Sequence, residues 1–167
     1  TYLAEQMLVA DPHAIHTERQ ALRAALAKQL EGEFAALHQR ASAVPYSLSA
    51  EARGARKVKT QALVYLAEGN PALAATMAAA QYRGADNMTD RQGALMVLAG
   101  LDNPERTHAL LDYYNRYHDN PLVIDKWFSL QAGSLHPQAL AHVQALADHP
   151  QFTLKNPNRV RALYMAF

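Results

Sequence analysis

Five times in this chain a side chain able to cap a helix stands directly before a proline: Asp11-Pro12, Asn70-Pro71, Asn103-Pro104, Asn120-Pro121 and Asn156-Pro157. Proline holds φ at about −65° and lacks an N–H, so it suits the first turn of a helix and little else inside one. An Asx side chain just before it accepts from the free N–H groups of that turn. The pairs therefore predict helix starts near 12, 71, 104, 121 and 157, and Ser134 to Pro137 offers a sixth. Thr89-x-x-Gln92 reads as a capping box and Ser49 as one more N-cap. Composition agrees, since the apolar half leans on alanine and leucine, with few β-branched residues and only seven glycines.

Residues 1–10 read as the tail of a helix, and a long helix is predicted from Pro12 to Arg40. Its inward face holds Ile15, Leu22, Leu26, Leu30, Phe34 and Leu37, with Gly32 tolerated inside it. A loop at 43–49 precedes a helix over 50–68 with Val58, Ala62, Tyr65 and Leu66 inward and Gly69 as its stop. Helices over 71–82, 90–101, 104–117, 121–132 and 137–147, and from 157 onward, complete the set. The starts fall roughly 14 to 20 residues apart, so two helices form a unit in the period range of helical repeat arrays. Short links force neighbours antiparallel. The predicted fold is all-α: antiparallel hairpins stacked into a curved superhelix of the armadillo/HEAT kind, about 8 to 9 helices in one domain over 1–167. A compact bundle is the alternative.

The densest apolar stretch, Leu122 to Ala132, holds the sole tryptophan and reads as the central buried helix. Val123, Ile124, Trp127, Phe128 and Leu130 sweep one side, with Trp127 and Phe128 expected in the core. Gln131 falls within that apolar sector, where an unpaired amide would cost about 1 to 3 kcal/mol. It is expected to bond a neighbouring helix end or loop.

Sixteen Lys and Arg against fifteen Asp and Glu leave no footprint for a polyanion, so nucleic acid is not an expected partner. The absence of cysteine removes disulfides and thiolate metal sites. No apolar run is long enough to span a bilayer, and the amino terminus lacks a basic region followed by an apolar one. The chain opens at Thr1 without methionine and stops at Phe167 within an apolar run, which suggests a piece of a larger polypeptide.

Candidate chemistry is sparse. No H-E-x-x-H, G-x-S-x-G or phosphate-cradling glycine loop occurs. His13-x-x-His16 with Glu18 has a metal-compatible spacing, but a site needs a third, oriented ligand, and solvated first-turn histidines are the default. A metal-binding four-helix enzyme built on this pair is the least favoured reading. His142 and His149 read as surface histidines. Arg53, Arg56, Lys57 and Lys59 read as a solvated basic face. Tyr113, Tyr114 and Tyr117 share a helical stripe with Leu110 and read as core filling. Arg159 and Arg161 stand just inside the last helix, near its positive end, where a cation gains nothing from the dipole. Both call for specific carboxylate partners, within the chain by default, or on another domain or a ligand.

Three ordered segments carry a resemblance: Ala85-Asp86-Asn87-Met88-Thr89-Asp90, Val123 to Ala132, and His149-Pro150-Gln151-Phe152 continuing through Asn156 to Leu163. With the Asp11 to His16 opening they closely resemble the carboxy-terminal region of the bacterial aminopeptidase N group of the M1 zinc metallopeptidases. In that family two β domains and a thermolysin-like catalytic domain precede a large helical domain, which arches over the active site and narrows peptide access. The resemblance implies that this chain is an incomplete portion of that helical domain, in a cytoplasmic enzyme that removes amino-terminal residues from peptides. The family's G-A-M-E-N and zinc motifs are absent, so no catalytic or metal residue is carried over, and zinc belongs to the parent enzyme rather than to this piece. The implied partners are the catalytic domain of the same polypeptide and a peptide substrate, with no nucleic acid and no membrane. By position Arg161, and less so Arg159, resemble substrate-channel residues. The rival reading is a free-standing helical-repeat scaffold that binds a protein partner.

Overall fold

A computed structural model describes residues 2–167, and among the described residues it holds ten α-helices, one π-helical turn and no strand. They are α1 (Tyr2–Glu5), α2 (Pro12–Gln29), α3 (Glu31–Ser42), α4 (Ala50–Gly69), α5 (Pro71–Gly84), α6 (Met88–Ala99), α7 (Pro104–Tyr117), α8 (Pro121–Ala132), α9 (Ala139–Ala147) and α10 (Pro157–Val160). The last runs directly into the π turn Arg161–Met165. All five Asx-Pro pairs start helices, each with the Asx oxygen bonded to first-turn amides.

Four details depart from the sequence reading. The long first helix is broken at Leu30, whose backbone leaves the helical region at φ −111° and ψ 26°. The bend lets α2 lay Ala27 against Gly69 while α3 stacks Phe34 on Tyr65 at 4.6 Å, and Gly32 lowers the cost of interrupting the helix there. Leu22, Leu26 and Leu30 consequently stay exposed, and the one fully buried side chain of α2 is Ala27. The capping box at Thr89 is replaced by Asn87, whose Oδ1 accepts from the Asp90 amide, so α6 begins two residues earlier. Pro137 does not start α9; Gln138 precedes its first residue and gives its N–H to His136 Nδ1. Val58 faces outward, because the inward stripe of α4 is Ala52, Arg56, Lys59, Ala62, Leu63 and Leu66.

The hairpins are α2/α3 with α4, α5 with α6, α7 with α8, and α9 with the π turn. Along one layer every member touches the next: α4, α6, α8, then the π turn. In the opposite layer α5 packs directly on α7, whereas α3 reaches α5 and α7 reaches α9 only through side chains, His38 to Gln81 and Arg106 to His142. A layer in unbroken contact, backed by one that fans apart, curves toward the unbroken side, giving the superhelix its concave face. Leu63, Leu66, Leu95, Leu98, Tyr113, Ile124, Phe128 and Leu163 are fully buried between the layers, each worth about 1.5 to 3 kcal/mol on area grounds. Small residues set the spacing. A Cβ on Gly93 would stand 2.4 Å from Thr60 Oγ1, and one on Gly69 would stand 2.8 Å from the Ala27 carbonyl carbon.

The predicted central helix is α8, with Phe128 fully buried and Trp127 nearly so. Trp127 Nε1 donates to the Leu110 carbonyl at 3.0 Å, fastening α8 to α7. Gln131 is buried as its register requires, but its amide donates to the Trp127 carbonyl of its own helix, 3.1 Å away, rather than to a neighbouring element.

Candidate functional site

The inner helices α4, α6 and α8 occupy equivalent places in successive hairpins, so they run parallel and their dipoles add along the layer. Their C-terminal ends share one edge, and a groove of about 500 Å³ crosses it, lined by Val64, Ala67, Met96, Leu101, Leu130 and Leu135, with Arg23 of α2 at its rim. Most of that lining is apolar, and Met96 and Leu135 are exposed.

At the opposite edge, acids near the starts of inner helices take cations from neighbouring inner helices. Asp90 Oδ2 of α6 accepts from Lys59 Nζ of α4 at 2.7 Å and from Asn87 Nδ2 at 3.0 Å, while Asp90 Oδ1 is buried without a bond. Gln81 links this pair outward, donating to the Asp90 carbonyl and accepting from His38 Nε2. Burial, opposed by that bond, lowers the His38 pKa. Arg56, also buried, donates to the Ser47 carbonyl and lies over the Tyr46 ring. The basic face predicted as solvated is therefore split: Arg53 and Lys57 are exposed, whereas Arg56 and Lys59 are core charges held by partners the sequence spacing did not reveal.

Asp125 of α8 plays the corresponding part at the last helix. Arg159 is 4% exposed; its Nε donates to Asp125 Oδ1 at 2.5 Å, its Nη1 to the Gln151 carbonyl, and its guanidinium lies 4.9 Å from the Phe128 ring centroid. Arg161, two residues on, points to solvent, with only a 3.4 Å bond from Nη1 to Asn158 Oδ1. The two arginines are thus separated by environment: one is locked between helices and one is presented on the inner layer.

The histidines also sort themselves. His13 and His16 are exposed. His149 is half-buried against Tyr114, Trp127 and Phe128, and its pKa is lowered by burial and then by Arg159. His142 is half-buried with its Nδ1 3.0 Å from Arg106 Nη2, so the surface reading fails for both. Among the described residues no three or more His, Asp or Glu side chains gather as a metal-ligand set. Nor is any helix there long and apolar enough to cross a membrane.

Stacked antiparallel hairpins with a groove on the continuous layer define an armadillo-type repeat domain. The sequence matches, over residues 1–167, the family described as a domain of unknown function (DUF3458_C) of ARM repeats, and the chain belongs to that family. It is 36% identical over 165 residues to aminopeptidase N of Escherichia coli K12, covering 99% of this chain and 19% of that protein. Aminopeptidase N of Caulobacter vibrioides is 34% identical over 166 residues, again covering 99% and 19%. In three dimensions the chain is similar to Legionella pneumophila aminopeptidase A, crystallised in complex with aspartic acid, at a TM-score of 0.83 and 29% identity, covering 99% of this chain and 20% of that one. The chain thus spans about a fifth of the length of these relatives.

Proposed function

We propose that this chain is a non-catalytic portion of the C-terminal helical domain of a cytoplasmic zinc aminopeptidase, a metalloprotease of the M1 family that removes amino-terminal residues from peptides. Its continuous helical layer faces the catalytic domain of the same polypeptide, restricts access to it and helps line the substrate channel. The observation that carries this reading is Arg161, an exposed guanidinium on that layer with no carboxylate partner among the described residues. Its planar fork suits a peptide carboxylate. Arg159 acts one step back, holding the last helix against α8 so that Arg161 is presented. Zinc and the reacting groups belong to residues outside this chain.

The apolar groove favours one rival, a free-standing scaffold that docks a protein partner along α4, α6 and α8. Kinetics of the complete enzyme separate them. Arg161→Ala is expected to raise KM for tri- and tetrapeptides by roughly three- to tenfold, the size of one solvent-screened charged hydrogen bond, while a single alanyl amide is turned over as before. Equal effects on substrates of every length would remove Arg161 from the channel.

A further inference from the structure

α9 is weakly anchored. It has nine residues, buries only Val143 and Leu146, lacks a side-chain N-cap and meets α7 through side chains alone. A helix so short is marginal without tertiary support. Its polar tie to the preceding hairpin is Arg106 of α7, whose Nη2 lies 3.0 Å from His142 Nδ1 and whose Nε donates to the Ala99 carbonyl at the end of α6. At the other end of the tie, His136 Nδ1 accepts the Gln138 N–H that precedes the first turn of α9. The two imidazoles sit 4.6 Å apart, with His136 buried.

A guanidinium only donates, and so does a backbone N–H. Both histidines must therefore keep a bare lone pair on Nδ1, which restricts each to the neutral tautomer protonated at Nε2. Protonation at Nδ1 removes each acceptor and sets new positive charge beside Arg106. We propose that His136 and His142 form an acid-labile clasp that pins α9, and with it the adjoining π turn, to the corner between α6 and α7.

The charged surroundings agree. Arg106 faces both rings from α7, and Asp102, from the turn before it, stands 3.9 Å from His136 Nε2 with its carboxylate almost wholly in water. α8 and the π turn also pack on α9 but bring no charge to the rings, since Asp125 is bound to Arg159, Lys126 is exposed and Arg161 reaches Asn158. Burial first, then Arg106, lowers both histidines below the ordinary value of 6.5; for His142 the neighbouring His136 adds to this, and Asp102 opposes it only at His136. The unfolded segment therefore binds more protons than the folded one once pH falls below about 6.5. Clasp stability is complete above that value and is lost as pH falls through the folded values.

Amide hydrogen exchange of this chain tests the clasp. After correction for intrinsic rates, protection over residues 139–147 is expected to fall about tenfold or more between pH 7 and 5.5, and that over α4 by much less. The double substitution His136→Asn, His142→Asn keeps an acceptor oxygen near each Nδ1 and removes the titration, so the loss confined to α9 should disappear. The same acid loss in the double variant would overturn the clasp. So would an NMR titration of the unaltered folded chain in which either imidazole titrates at or above 6.5, a test that stands even if the variant folds poorly.

Discussion

At the scale of single residues, Arg159 and Arg161 show how two identical side chains two positions apart take opposite work. Arg159 is sealed between α8 and α10, and its charge is tolerable only because Asp125, the Gln151 carbonyl and the Phe128 face surround it. Removing it leaves the Asp125 carboxylate, itself largely buried, without a cation. Arg159→Ala should therefore destabilise the chain by about 3 kcal/mol in urea unfolding, whereas Arg161→Ala should change stability by under about 0.5 kcal/mol. Similar losses for the two would contradict the division. That Arg159 needed a carboxylate was legible from its place near a positive helix end. For Arg159 the partner is 34 residues upstream, in a helix whose neighbour only the tertiary fold defines. For Arg161 no carboxylate is present among the described residues. Gln131 teaches the same distinction: its burial followed from periodicity, but its choice of the Trp127 carbonyl in its own helix did not.

At the scale of elements, Asx-Pro pairs are strong signals because they act within one turn, where cap and proline chemistry are both local. The break at Leu30 was hidden because the apolar spacing continues across it; what bends the rod is the tertiary contact of Ala27 with Gly69. Placing a methyl group there drives it into the Ala27 backbone, which cannot rotate away as a side chain can. Gly69→Ala is expected to cost about 1 to 3 kcal/mol, measured as a lower urea midpoint with an unchanged slope, and a neutral result would show that α2 is free to lift from α4. In α4 the burial of Arg56 and Lys59 misled the periodicity reading, which treats every cation as outward-facing. Their long stems pack within the stripe while their charged ends meet Ser47, Tyr46 and Asp90. The start of α6 moved for a local reason: Asn87 outcompetes Thr89 as an acceptor, so the capping box was the wrong reading of a correctly located turn.

At the scale of the whole molecule, alternating hairpins give one layer of parallel helices in continuous contact and a second that spreads. Summed dipoles then separate the two edges of the inner layer, with Asp90 and Asp125 near its positive edge and the apolar groove across its negative one. The repeat architecture was legible from the spacing of helix starts. The groove was not, because it is made of ordinary side chains from α4, α6 and α8 that meet only after stacking. The proposed function rests on curated relatives about five times longer than this chain, so it is best tested on the complete reading frame. Both that polypeptide and the isolated 167 residues should be assayed for zinc-dependent release of alanine from an alanyl amide. A longer protein with a zinc site and chelator-sensitive release is expected, with no release from the isolated chain. A start codon close to Thr1, or release by the isolated chain itself, would contradict the proposed function.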